Sequence, residues 1–229
     1  MNKRKIALLV SSVLVLAMLI AGLGLQKYVS LQIATRVERE IPNASGVSVS
    51  IPIAHLPRNI TSDEIKSLKI DIDSYFLKES QTSSSLSISA NNIRKSRPQV
   101  VGSLDVIATI PMSTIVQSSE FTDAQIVGST LLVPAGAGGA GIARLVPRYR
   151  NNQFFFELLS VSFFGNEIPA SSLPKNFQNQ IKSKSQRNLK VPEGMRVKSV
   201  ALSSKGLSLN MTGTNVRLSR LREGIEVES

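Results

Sequence analysis

Apolar side chains recur at every second position along much of this 229-residue chain. Val47, Val49, Ile51 and Ile53 alternate with small or polar residues, as do Leu68, Ile70 and Ile72, then Leu86 and Ile88, then Leu104, Val106, Ala108 and Ile110. Successive side chains of a strand point to opposite faces, so this period marks strands with one buried side. Gln153 to Phe164 reads as a further strand, ended by a Gly165-Asn166 turn. Val197 to Leu202 and Leu207 to Met211 flank Ser203-Ser204-Lys205-Gly206, a hairpin signature. The pattern predicts about seven to nine strands, mostly antiparallel because their connections are short.

Three stretches follow a helical period instead. Val29, Ile33, Val37 and Ile41 stand four apart with charges between them, and Pro42 to Gly46 ends that run. A short helix is expected after Pro111, around Ile115 and Val116. A longer one carries Leu173, Phe177 and Ile181, with Ser171 or Ser172 as its N-cap. Strands and helices together predict an α+β class.

The N-terminus sets the address. Ile6 to Leu25 are twenty residues without a charge, directly behind Lys3, Arg4 and Lys5. As a helix they would span about 30 Å, the thickness of a bilayer core, with the basic residues 1–5 on the cytoplasmic side. A single-pass anchor and a cleaved signal segment are both open, the weak small-residue pair Gly22 and Gly24 being the best cleavage site. Either reading exports the chain, leaving one domain over residues 28–221 and a polar tail at 222–229. The chain has no cysteine, so that domain must stand on its hydrophobic core without disulfides or thiolate metal sites.

The formal net charge of +11 is unevenly placed. Residues 28–170 carry 12 basic and 12 acidic side chains, whereas residues 171–229 carry 11 basic and 4 acidic. A solvated face and attraction to an anionic membrane surface both account for this surplus. No aromatic-interleaved basic motif suggests nucleic acid.

Motifs for catalysis are weak. Gly136 to Gly141 matches G-x-G-x-x-G, but Pro147 would break the helix a dinucleotide site needs, so a flexible loop is expected over Pro134–Gly141. His55 is the single histidine, too little for a zinc site or a triad. Asp63 and Glu64 follow Thr61-Ser62 as at a helix or turn start. Asp71 and Asp73 share one strand face and could do acid–base work, but Lys66 and Lys69 make a solvated, paired face the simpler reading. No enzyme, metal or cofactor is expected.

Apolar surface is what the sequence offers. Phe154, Phe155, Phe156, Leu158, Leu159, Val161, Phe163 and Phe164 occupy both faces of one strand, which either lies central in a layered core or lines a cavity. The candidate acyl-chain groove comprises Phe154, Phe156, Leu158 and Phe164 with Ile70 and Ile72. Lys182, Lys184, Arg187 and Lys190, clustered near the end of the long helix, are the candidate contacts for an anionic headgroup.

The stretch from Leu189 through Val191-Pro192-Glu193-Gly194 to Ser199-Val200, followed by Lys205-Gly206-Leu207 and Thr212-Gly213, resembles the closing signature of the actinobacterial LmeA-type phospholipid-binding family. Val47 to Ile51 with Leu56-Pro57 is similar to that family's opening segment, and Leu104 to Pro111 to its central strand. Val191 and the glycine-rich insertion depart from the pattern. The resemblance spans about Val29 to Leu218. It implies a curved, mostly antiparallel sheet wrapped around amphipathic helices in a tubular lipid-binding architecture, behind one transmembrane helix. It also implies a non-catalytic, membrane-tethered protein that binds anionic phospholipid outside the cytoplasm and supports cell-envelope, lipoglycan assembly. The alternative is a structural protein that stabilises an envelope glycosyltransferase or another envelope protein without a lipid cavity. Gly194, Gly206 and Gly213 are expected at turns.

Overall fold

The computed structural model describes residues 34–35, 44–52, 62–76, 83–96, 98–118, 121, 123–136, 140–189 and 191–217. Twelve strands and two short helices appear among them. The first sheet has the order β1-β2-β3-β4-β12-β11, from β1 (Ser45–Ser50), β2 (Glu64–Phe76), β3 (Ser83–Arg94), β4 (Val100–Ile110), β12 (Gly206–Arg217) and β11 (Met195–Ser203). The second has the order β10-β8-β7-β6-β5, from β10 (Arg187–Asn188), β8 (Gln153–Phe163), β7 (Gly141–Arg150), β6 (Thr130–Ala135) and β5 (Gln125–Val127). Strand β9 (Asn166–Pro169) pairs with β8. Helix α1 is Met112–Ser118 and α2 is Lys175–Ser185.

This architecture corrects the α+β expectation: the fold is β-rich, with antiparallel strand pairing, and its helices, of 7 and 11 residues, are too short for a sheet to wrap around. The transmembrane helix of that expectation has no counterpart in what the structure describes. Among the described residues no helix is long and apolar enough to cross a membrane. Ile6–Leu25, His55 and the polar tail 222–229 lie outside the described residues, and of the helical run from Val29 to Ile41 only Ala34 and Thr35, both helical, lie within them.

Contacts divide the chain into two units, Met1–Ala108 with Val191–Lys198 and Asn210–Ser229, and Thr109–Lys190 with Ser199–Leu209. In the first unit, Leu68, Ile70 and Ile72 of β2, Leu86, Ile88 and Ala90 of β3, and Leu104, Val106 and Ala108 of β4 are all buried. Their spacing of two is the alternation read from the sequence. It changes to three on each of these strands, where Ile65, Ile93 and Val101 are the next buried positions. Asn92, beside this step, takes a left-handed φ of 52°. Asparagine tolerates that region because its short side chain can bond locally; the β2–β3 register runs unbroken past it and shifts between Ile72 and Tyr75 instead. Tyr75 is also buried, and desolvation pushes its phenol up to about 12 although the Ser84 hydroxyl beside it acts the other way.

The second unit keeps its core on one face of the second sheet. Three rows of inward residues cross β6, β7 and β8 in register: Leu131–Leu145–Leu158, Val133–Ala143–Val161 and Ala135–Gly141–Phe163. Phe121, Leu202 and Leu207 join this cluster, and Phe177 and Ile181 of α2 pack against it. The expected hairpin of β11 and β12 is present. Its Gly206 has φ 125°, and a Cβ there would stand 2.0 Å from the Ile110 carbonyl oxygen. Gly194 also sits at a positive φ, 83°. Gly213 does not; it lies within β12, where a Cβ would stand 2.5 Å from Val216 Cγ2, so close packing rather than a turn excludes a side chain. Gly206→Ala should therefore lower stability by at least about 2 kcal/mol, measured by chemical unfolding, because the added carbon meets backbone in a conformation alanine disfavours.

Candidate functional site

In the second unit, side-chain size falls along two neighbouring strands. Strand β6 presents Leu131, Val133 and Ala135 inward, and β7 presents Leu145, Ala143 and Gly141 at the same levels. The floor of the sheet therefore drops away toward the β6–β7 connection, because each step removes methyl or methylene groups that would otherwise fill the space. Helix α2 roofs it with Phe177 and Ile181, four apart on one stripe. The result is a slot of about 170 Å³ between helix and sheet, bounded also by Phe121, Pro134 and Gly136, with polar and apolar atoms sharing its surface about equally. Gln180 and Lys184, both exposed residues of α2, supply its polar border.

Two side chains fix the roof at its ends. Gln178 donates from Nε2 to the carbonyls of Ala170 (2.6 Å) and Leu173 (3.1 Å), holding the first turn of α2 to the 3₁₀ turn Ala170–Ser172. The expected serine cap is absent: Pro174 occupies the N-cap, without a side-chain cap bond. At the far end Ser185 is buried, accepts from the Phe156 backbone N–H at 2.9 Å, and donates to the Ile181 and Lys182 carbonyls at 3.1 Å. A strand hydrogen-bonding position is thus filled by a helix side chain, which ties α2 to the edge of β8.

The residues expected to form the groove go elsewhere. Phe156 and Leu158 are buried in the core cluster, with Phe156 edge-on to Phe154 (centroids 5.2 Å apart) and to Phe121 (6.0 Å). Ile70 and Ile72 are buried on β2, in the other unit. Phe164 lies in the β8–β9 turn and is 90% exposed. None of these six lines the slot. Of the four headgroup candidates, Lys184 borders the slot and Lys182 places its ammonium 4.6 Å from the Phe155 ring centroid, a cation–π contact. Arg187 begins β10, and Lys190 lies outside the described residues.

The glycine-rich stretch is only partly a loop. Pro134 and Ala135 end β6, and Gly141 opens β7 under the ring of Phe163, where a Cβ would stand 2.6 Å from Phe163 Cε1. Glycine here makes room for an aromatic ring rather than for a phosphate. A second hollow, of about 610 Å³, lies in the first unit among Glu64, Lys66, Asn92, Arg94 and Gly102. Its lining is polar, and Lys66 Nζ already pairs with Glu64 Oε2 at 2.6 Å.

The paired aspartates are engaged structurally. Burial would raise the Asp71 carboxyl, but the Ser87 hydroxyl (2.6 Å) and the Lys69 ammonium (2.9 Å) outweigh it and hold the group below the usual carboxylate range. Asp73 is exposed and lies against Gly46, where a Cβ would stand 2.5 Å from its Oδ2. Among the described residues no three His, Cys, Asp or Glu side chains gather as a metal site.

No family model matches the chain, and no curated protein or solved structure matches it either.

Ser185→Ala should cost about 1–3 kcal/mol in chemical unfolding, since it leaves the buried Phe156 N–H without an acceptor. Asp71→Asn should lower the melting temperature at pH 7. A depressed folded-state pKa stabilises above the unfolded value and is lost as pH falls through the folded one. The gap between the two proteins should therefore close below a pH of about 4.

Proposed function

We propose that this chain is an exported, non-catalytic lipid-binding protein whose second unit takes the end of one acyl chain into the slot beneath α2. The single observation that supports this most is the row of apolar side chains along that slot with a lysine on its border. Val133, Ala143, Leu145, Phe177 and Ile181 present hydrocarbon to a ligand, and Gln180 and Lys184 stand where a carboxylate or phosphate would need donors. The volume is close to the ~150 Å³ at which an apolar cavity takes up benzene, which suits a short terminal segment of a chain. Each methylene removed from water there contributes about 0.8 kcal/mol. The basic residues Lys3 to Lys5 and the apolar stretch behind them support export, and the resemblance to the LmeA-type family supports an envelope phospholipid as the ligand.

Filling the slot tests the reading. In a tightly packed core Ala143→Leu would cost about 1–3 kcal/mol. With free space beside Ala143 it should leave the melting temperature nearly unchanged and weaken displacement of a fluorescent fatty acid roughly tenfold or more. A variant that loses stability and never displaced the probe in its parent form would sink the proposal. Native mass spectrometry of the chain purified without detergent, with and without Ala143→Leu, reads the endogenous occupant directly.

A further inference from the structure

Strand β8 is closed at both ends by two-residue turns of the same kind, filled very differently. At its start Asn151 and Asn152 have φ 52° and 58°, and Arg150 pairs with Gln153. At its end Phe164 and Gly165 have φ 49° and 84°, and Phe163 pairs with Asn166. Both central residues of such a turn need left-handed backbone, which asparagine and glycine supply cheaply and a bulky side chain does not. Phenylalanine therefore occupies a costly position while burying almost nothing, at 90% exposure. Packing does not explain it, and a strained residue that the fold does not use points to a partner.

Its surroundings indicate which partner. Pro134 and Ile142, paired across β6 and β7, are both exposed on the outer face, and Ile142 pairs in turn with Ser162, two residues before Phe164. The segments bearing them are free of charge: Ala124 to Ala143 and Leu158 to Asn166 contain no acidic or basic residue. The first charges behind this end are already matched, Arg144 to Glu167 at 3.7 Å and Arg148 to Glu157 at 2.6 Å. The unit as a whole carries nine basic and four acidic side chains, a net of +5. An uncharged aromatic tip on a cationic body is complementary to an anionic lipid surface, where the ring enters the interface and the cations stay near the headgroups.

We propose that the Phe164–Gly165 turn, with Ile142 and Pro134 beside it, docks the second unit on an anionic lipid bilayer. Resting on the lipid-binding reading, docking would bring the Ala135–Gly136 end of the slot to the surface that supplies its ligand.

The chain has no tryptophan, so a single one reports locally. Full-length Phe164→Trp and, at the opposite turn, Asn151→Trp would be mixed with vesicles of equal parts phosphatidylcholine and phosphatidylglycerol carrying brominated acyl chains. Emission from position 164 should shift to the blue and be quenched, while position 151 stays unquenched, and pure phosphatidylcholine should quench 164 less. Ile142→Trp should also be quenched, and adding Phe164→Asn should reduce that quenching roughly fivefold. Phe164→Asn restores the usual turn residue, so its melting temperature should not fall. Equal quenching at 164 and 151, none at 164, or quenching at 142 that ignores Phe164→Asn would each overturn docking, as would lipid-free self-association abolished by Phe164→Asn. Displacement of a fluorescent fatty acid without vesicles is read separately: its loss with quenching intact removes the slot reading and leaves docking standing.

Discussion

The contact that organises the second unit is the one between Gly141 and the ring of Phe163. A side chain at 141 would collide with the ring, so the strand opens on bare backbone and the ring takes the space a Cβ would need. That allows β6, β7 and β8 to pair to their ends while their inward side chains shrink from leucine to alanine and glycine. The slot beneath α2 is the geometric remainder of this taper. Without the graded sizes, the same three strands and the same helix would close into a solid core.

The helix over the slot is held by polar groups rather than by depth of burial. Ser185 satisfies a strand N–H that has no strand partner, and Gln178 gathers two carbonyls ahead of the first helical turn. Such bonds are worth more in a dry setting than in water, and they fix orientation without filling volume. That combination suits a roof above a space, since larger apolar anchors would consume the room they protect.

Much of the sheet framework was legible in the sequence, and the places where it was not have physical reasons. The alternation at Leu68–Ile72, Leu86–Ile88 and Leu104–Ile110 located β2, β3 and β4, and the serine-lysine-glycine turn located the β11–β12 hairpin. Strands β6 and β7 were hidden because Pro134, the glycines and Pro147 read as loop or breaker, whereas Pro134 sits near the end of a strand and Gly141 serves a neighbouring ring. The short helices carried correct apolar stripes, but the chain around them supplies twelve strands, which is why the balance is β-rich. Aromatic residues misled most: Phe154 and Phe156 meet edge-on in the core, and Phe164 turns outward, while Ala135 and Ala143 line the slot. Hydrophobic bulk marks where a core is; absence of bulk within an apolar row marks where a cavity is. The row Leu131, Val133, Ala135 beside Leu145, Ala143, Gly141 held that signal.

The strand order of the first sheet carries a kinetic consequence. Strand β4 lies between β3, which precedes it directly, and β12, which arrives after the whole of Met112–Asn188 has been made; the Thr109–Ser208 hydroxyl contact alone spans 99 positions. During synthesis, one edge of β4, with Val101, Leu104 and Val106 on the strand, therefore waits for its neighbour. Non-local pairing of this kind is slow, and an open apolar edge invites pairing with another chain. A protein so threaded depends on whatever shields nascent strands in its compartment, and its yield should be set by the time to close that edge rather than by the strength of the finished fold.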